Sequence, residues 1–453
     1  MTLPSGELPY QTPGPVVAPP PPPRRFEWRR AAWLGGLVAF IALCGIGILT
    51  YVGYNIGPVA LAVGFVAAII PVPVLVISFL WLDRYEPEPV KYLLFCFAWG
   101  AFVATSVALA VNTGGAWLFR HVGLPDALVA VVVAPVIEES MKAAGPILLF
   151  WRRREAVSGV VDGIVYCGLS ATGFAMVENI LYLGGYGYAA NADKGGVAQA
   201  VAAVIAIFIG RIVLSGFAHP LFTSMTGIGL GVAARTGDRW VRRLAPVAGL
   251  LTAMLLHSSW NLMATVANEA NQPLVLLYGY FSVMMPIFFG MVGFAIWLRG
   301  YEARLTQRVL PVYVRAGWLS PPEVASLATV GRRLSARRWA RRVAGEPGAG
   351  AMRGYQFTAT QLALLRDAMQ RGSARLTPQS AQQEERRLLD AITAYRAVYT
   401  GRDPLAPQAL WDGSRYLLRF PDGQVREWQP PAQPVVPVPL VLAPASGGTP
   451  PPY

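Results

Sequence analysis

The chain has 453 residues, of which 54% are hydrophobic and only 14% charged, with a mean hydropathy of +0.43. A soluble chain carries roughly 25% charged residues, and each helical crossing of a bilayer needs ~20 apolar ones; apolar runs of that length between Ala31 and Leu298 exclude a soluble enzyme, a collagen-like chain and a secreted disulfide scaffold. The net charge of +13 gathers after Arg299, where 21 arginines stand against 11 acidic residues without any nucleic-acid motif, so nucleic acid is not expected as a partner.

Residues 1–23 form a Pro-rich segment ending in five prolines, and Arg24 to Arg30 add a basic anchor, so 1–30 reads as a disordered tail. No small-residue cleavage site follows the first apolar run, which points to a retained first span. Candidate spans are 31–54, 58–82, 91–119, 125–150, 157–183, 198–234, 244–267 and 274–298. The expected class is therefore an all-α polytopic membrane protein with about eight transmembrane helices, its membrane part spanning 31–298. The sixth run is too long for one perpendicular helix and is expected to tilt or break at Pro220.

With the N-terminus inside, the inner segments hold sixteen Arg or Lys, and the outer loops hold only Arg120 and Lys194. This bias places both termini in the cytoplasm of a cell-membrane protein. Residues 299–428 then read as a small, basic, mainly helical cytoplasmic domain whose arginines face anionic lipid headgroups. Within it, Pro321-Pro322 opens a helix, Gly345 to Gly350 is a linker, and Thr358 with Gln361 makes a capping pair. Ser414 to Trp428 reads as a hairpin around Pro421-Asp422-Gly423, and 429–453 as a second disordered Pro-rich tail. Cys44, Cys96 and Cys167 have neither disulfide nor metal-site spacing.

Ionisable groups at membrane depth cost at least ~2.5–3.5 kcal/mol each, so every one is a functional candidate. The fourth span carries Glu138, Glu139 and Lys142; the fifth carries Asp162, Glu178 and Asn179; the sixth Arg211 and His219; the seventh His257 and Asn261. Glu138 and Lys142 are four apart and share a helix face, which leaves Glu139 about 100° away as the free carboxylate. His257 and Asn261 share a face, as do His219 and Thr223 if the helix continues past Pro220. Such a set could hold Zn²⁺ through His nitrogen and Glu oxygen with another Glu as general base. Equally, a Glu could activate water without metal while His and Asn hold an oxyanion. Asp162 also suits a helix start, and Arg211 suits a buried carboxylate partner. A membrane receptor, or a transporter of protons or cations, uses the same kind of buried chain, but no internal repeat supports transport.

The ordered set Glu138-Glu139-x-x-Lys142, Asp162-Gly163, Phe174-x-x-x-Glu178-Asn179, His219 and His257-x-x-x-Asn261 resembles the PrsW family of intramembrane metalloproteases. That family is similar to the wider CAAX-prenyl-endopeptidase-like membrane proteases, which carry a His where this chain has Glu178. The likeness covers roughly residues 130–265. It implies hydrolysis of a peptide bond in a membrane-anchored protein substrate within the bilayer, and first-site cleavage of an anti-sigma factor. On this basis Glu138, Glu139, Lys142 and Asn261 are expected to be catalytic. His219, His257 and Glu178 are expected to bind Zn²⁺ or to polarise the carbonyl, with Asp162, Asn179 and Arg211 in support.

Overall fold

The computed structural model describes residues 28–84, 88–153, 156–372 and 377–403, with short pieces at 409–411, 415–419, 424–429 and 441–442. The tail at 1–27, the Pro421-Asp422-Gly423 turn and most of 429–453 lie outside the described residues. The chain is an all-α polytopic membrane protein. The helices are α1 (Trp28–Ile56), α2 (Pro58–Ile69), α3 (Val72–Leu82), α4 (Val90–Ala98), α5 (Thr105–His121), α6 (Asp126–Leu128) and α7 (Ala134–Arg152). They continue with α8 (Val160–Ile180), α9 (Ala190–Phe208), α10 (Ala218–Arg235), α11 (Arg239–Glu269), α12 (Pro273–Gly279) and α13 (Met285–Val309).

Among the described residues, six helical stretches are long and apolar enough to cross a membrane. The difference from the eight runs read in sequence has two physical sources. The fifth and sixth runs lie in one stretch, Val160–Arg235, and α7 carries Glu138, Glu139, Lys142 and Arg152, whose charges depress its hydropathy. The sixth run does break, but at Ser215–Phe217, where the backbone leaves helical geometry. Pro220 sits instead in the first turn of α10, where its missing N–H costs nothing.

The centre of the bundle is α8, with 18 of its 21 residues buried on all faces. It packs against α10 along a seam of glycines. A Cβ on Gly163 would lie 2.0 Å from the Gly227 carbonyl oxygen, and one on Gly227 would lie 2.2 Å from that of Gly163. Such contact lets two backbones touch where lipid supplies no hydrophobic drive for association. α10 packs on α11 in the same way, with Gly229 against Ala245 and Gly249 against Met225. Asp238 caps α11 by accepting the N–H groups of Trp240 and Val241. Outward faces carry exposed Val38, Leu43, Ile46, Val66, Ile77 and Leu255, as lipid contact demands.

Beyond α13, α14 (Pro311–Arg315), α15 (Pro321–Ser326), α16 (Val330–Gln370) and α17 (Pro378–Ala397) enclose an apolar cluster that includes Leu310, Tyr313, Leu327, Trp339, Tyr355, Leu362, Leu389 and Tyr399. The helix opened by Pro321-Pro322 is present, and Ser320 and Glu323 form its capping box. The linker read at Gly345–Gly350 is instead a kink inside α16 at Ala344–Gly345, where Gly345 takes φ +64°. Thr358 therefore lies mid-helix and caps nothing. Arg235 at the end of α10 reaches Asp367 of α16 at 3.1 Å, which ties this helical unit to the bundle. Strands β1 (Ala409–Trp411), β2 (Tyr416–Arg419), β3 (Val425–Trp428) and β4 (Val441–Leu442) follow in the order β3-β2-β1-β4. The expected hairpin is the antiparallel β2–β3 pair, with Tyr416 opposite Trp428.

Candidate active site

Helix α7 presents its ionisable residues because a proline breaks its own ladder nearby. Pro146 cannot donate to the carbonyl four residues back, and that carbonyl, of Lys142, accepts the Ser170 hydroxyl of α8 at 2.7 Å. The Trp99 indole N–H adds a bond to the Met141 carbonyl at 2.9 Å. α7 is thus pinned at the turn that carries the lysine.

The Lys142 ammonium is fully buried. It donates to Glu138 Oε2 at 3.2 Å, Glu139 Oε1 at 2.9 Å and His219 Nδ1 at 3.0 Å, and sits 4.0 Å from the centre of the Phe174 ring. The expectation that Lys142 leaves Glu139 free does not hold, because residues three apart also share a helix face and the long side chain reaches both carboxylates. Glu139 also accepts the Thr223 hydroxyl at 2.7 Å and His257 Nδ1–H at 2.9 Å. Three donors from three helices thus fill most of its roughly four acceptor positions and leave one open. Glu138 is less committed: Asn112 of α5 donates to Oε1 at 3.3 Å, and His257 Nε2 stands 3.8 Å from Oε2.

A second carboxylate backs the other imidazole. Glu178 Oε2 accepts His219 Nε2–H at 2.9 Å and Arg211 Nη2–H at 2.7 Å, while Arg211 Nε–H reaches Asn179 Oδ1 at 3.3 Å. Arg211 also lies 3.5 Å from the centre of the Tyr182 ring. The His219 and His257 rings are 5.1 Å apart and nearly perpendicular. One ligand atom from each of Glu138, His219 and His257 lies within 4.8 Å of the other two.

Of the expected residues, Glu138, Glu139, Lys142, His219 and His257 converge directly. Glu178, Asn179 and Arg211 join them from behind His219, so Glu178 faces the imidazole's far nitrogen and is not among the three converging ligand atoms. Asn261 turns away and donates to the Ala130 carbonyl at 2.8 Å. Asp162 lies sixteen residues before Glu178 on α8, ~24 Å along a helix rising 1.5 Å per residue; there it caps the backbone of Ser158 and Gly159. Asn112 escapes a reading based on ionisable groups, and its one sequence signal is an amide inside an apolar span. By the same rise, the cluster lies ~15–27 Å from the helix ends marked by Arg152, Arg235 and Arg239.

Against known proteins, residues 88–291 match the family described as PrsW family intramembrane metalloprotease. The match extends beyond the 130–265 read from motifs, and it contains Asn112 with every expected site residue. Protease PrsW of Clostridioides difficile (strain 630) is 26% identical over 226 residues, covering 49% of this chain and 87% of that protein. No solved structure matches the chain. Family match, curated relative and a buried glutamate–histidine cluster in a multi-pass helical bundle agree: residues 88–291 of this chain are similar to the PrsW family of intramembrane metalloproteases.

Proposed function

We propose that the Glu138, Glu139, His219 and His257 cluster is the hydrolytic centre, acting on a peptide bond of a membrane-anchored protein. The observation that carries this reading is the meeting of two carboxylates and two imidazoles from three helices in one cluster inside the bundle. One carboxylate and two imidazoles make a donor set suited to Zn²⁺. Glu138, His219 and His257 fit it, with Glu178 orienting His219 and Glu139 orienting His257 from outside. Metal bound there would polarise the scissile carbonyl and acidify a water.

The protein groups supply the rest. Glu139 takes the proton of the attacking water as the water oxygen bonds to the carbonyl carbon. That proton then passes to the leaving nitrogen as the C–N bond breaks. Lys142 bonds both glutamates. Asn261 has no step in this scheme, since the one bond it shows goes to the Ala130 carbonyl.

One observation favours a second, metal-free reading. The Lys142 ammonium already bonds Glu138, Glu139 and His219 together, so glutamate and histidine could activate water unaided. Metal content of the detergent-purified chain, beside His219→Ala/His257→Ala, separates the two. Near-stoichiometric zinc lost in the variant supports the metal reading, and a folded wild type without metal supports the other. Glu138→Gln and Glu139→Gln that both cleave a co-expressed single-span substrate normally would remove the glutamates from catalysis under either. Glu178-dependent ion flux in proteoliposomes would instead favour a transporter.

The resemblance further supports an anti-sigma factor as the anchored substrate. The basic residues at the Arg152, Arg235 and Arg239 ends support a cytoplasmic position for those ends and for both termini. Exposed Arg338, Arg341 and Arg342 suit contact with anionic headgroups.

A further inference from the structure

At the arginine-marked end of the bundle, away from the hydrolytic cluster, three carboxylates from three segments meet. Asp83 follows α3, Glu88 precedes α4 and Asp162 lies in the first turn of α8; one oxygen of each lies within 4.8 Å of the other two. Asp83 is 4% exposed, Asp162 is 2% exposed and Glu88 is half-buried. Exposed acidic groups gather often without consequence, but these are not exposed. Asp83 Oδ2 accepts the Glu88 N–H at 2.8 Å, whereas Asp83 Oδ1 is sealed from solvent and has no hydrogen-bond donor among the described residues. A carboxylate oxygen in that position is costly unless a positive charge or a proton meets it.

Among the described residues, no hydrogen bond or ion pair brings a positive charge to Asp83. The Tyr166 hydroxyl gives its proton to Glu88. Asp162 spends Oδ2 on the N–H and hydroxyl of Ser158 and the N–H of Gly159. Arg235, whose charge reaches Asp162, has its guanidinium on Asp367.

We infer that Asp83, Glu88 and Asp162 form a second metal site, one for a hard divalent cation such as Mg²⁺, Ca²⁺ or Mn²⁺. All the donors are oxygens, carboxylates with the Tyr166 phenol behind them, which is the set hard cations select and Zn²⁺ sites seldom use. The site would staple the α3–α4 connection to the start of α8, the helix whose far end carries Glu178 and Asn179. It is independent of the hydrolytic reading, since no residue is shared.

The test uses the full-length chain in detergent, in the His219→Ala/His257→Ala background so that the hydrolytic cluster does not compete. Mn²⁺ alone is the probe, followed by electron paramagnetic resonance and by thermal unfolding. The expected result is one bound Mn²⁺ per chain, displaced by Mg²⁺ or Ca²⁺, with a melting temperature that rises as each cation is added. Asp83→Asn should weaken Mn²⁺ roughly tenfold or more and abolish the thermal response. If that variant does not fold, Glu88→Gln, at the half-buried position, supplies the same readout. A chain that binds no Mn²⁺ and ignores all three cations overturns the inference. So does one whose stability depends on pH alone, whatever cation is present, which marks a proton shared among the carboxylates in place of a metal.

Discussion

Removing the Lys142 charge should destabilise the bundle in a way that neutralising Glu138 repairs. In Lys142→Met the buried ammonium disappears from between two carboxylates that are 6% and 0% exposed. Stripping one partner from a buried ion pair costs ~3–5 kcal/mol. Glu139 retains two donors, Thr223 and His257, whereas Glu138 keeps only the 3.3 Å bond from Asn112, so most of the cost falls on Glu138. With ~2–4 °C per kcal/mol for a domain of this size, the melting temperature should fall on the order of 10 °C. Thermal unfolding of the purified chain, read by tryptophan fluorescence, measures the drop. Lys142→Met/Glu138→Gln should recover at least half of it, because the unpaired charge is gone; contacting residues commonly couple by about 0.5–3 kcal/mol. A single variant as stable as wild type, or a double variant no better than the single, would refute the view that Lys142 balances both glutamates.

Two further outcomes probe the scaffold and the His219 support. Gly163→Ala must push the Gly227 carbonyl from 2.0 Å, an overpacking that typically costs ~1–3 kcal/mol; Gly47→Ala, whose new Cβ meets nothing within 4 Å, should leave the melting temperature unchanged, and equal behaviour of the two would contradict the α8–α10 contact. Glu178→Gln should weaken metal binding about 10–100-fold, the usual effect of losing a carboxylate behind a ligating histidine, while Asn179→Ala should change it far less; equilibrium dialysis against buffered zinc measures both, and unchanged affinity in Glu178→Gln would mean that His219 needs no such partner.

The hydrolytic cluster was legible in sequence for a thermodynamic reason. Charges are so costly in a bilayer that Glu138, Glu139, Lys142, Glu178, Arg211, His219 and His257 stood out against an apolar background. Rotation about each helix axis did not show there, and it decides what a polar residue meets. His257 and Asn261 lie one turn apart, yet the first bonds Glu139 and the second bonds the Ala130 carbonyl. Glu178 looked like a ligand because it is acidic and central, but the turn of α8 sets it behind His219. Asn112 carries no charge, so a search for ionisable groups passes over it. Asp83 and Glu88 lie between spans, where carboxylates are expected at a surface; only the fold brings them against Asp162 and buries them. In the C-terminal part, Gly345 was rightly read as a breaker. Its effect is a kink within α16 because the helix resumes at once through Glu346 and Pro347.

The broken sixth span explains how this cluster is assembled. Arg211 lies just before the break at Ser215–Phe217 and His219 just after it, and both bond the same oxygen of Glu178. One carboxylate therefore holds the two sides of the break in register through charge-assisted bonds. Because Glu178 accepts the Nε2–H of His219, the Nδ1 atom must be the unprotonated one, and it turns toward α7, where Lys142 already donates to it. A metal ion reaching Glu138, His219 and His257 must then share or take that lone pair from an ammonium. The lysine that stabilises the paired glutamates also repels a cation at the same place. Affinity at this site is thus set by a contest between Lys142 and metal for His219 and Glu138, and replacing the lysine should tighten metal binding even as it loosens the fold.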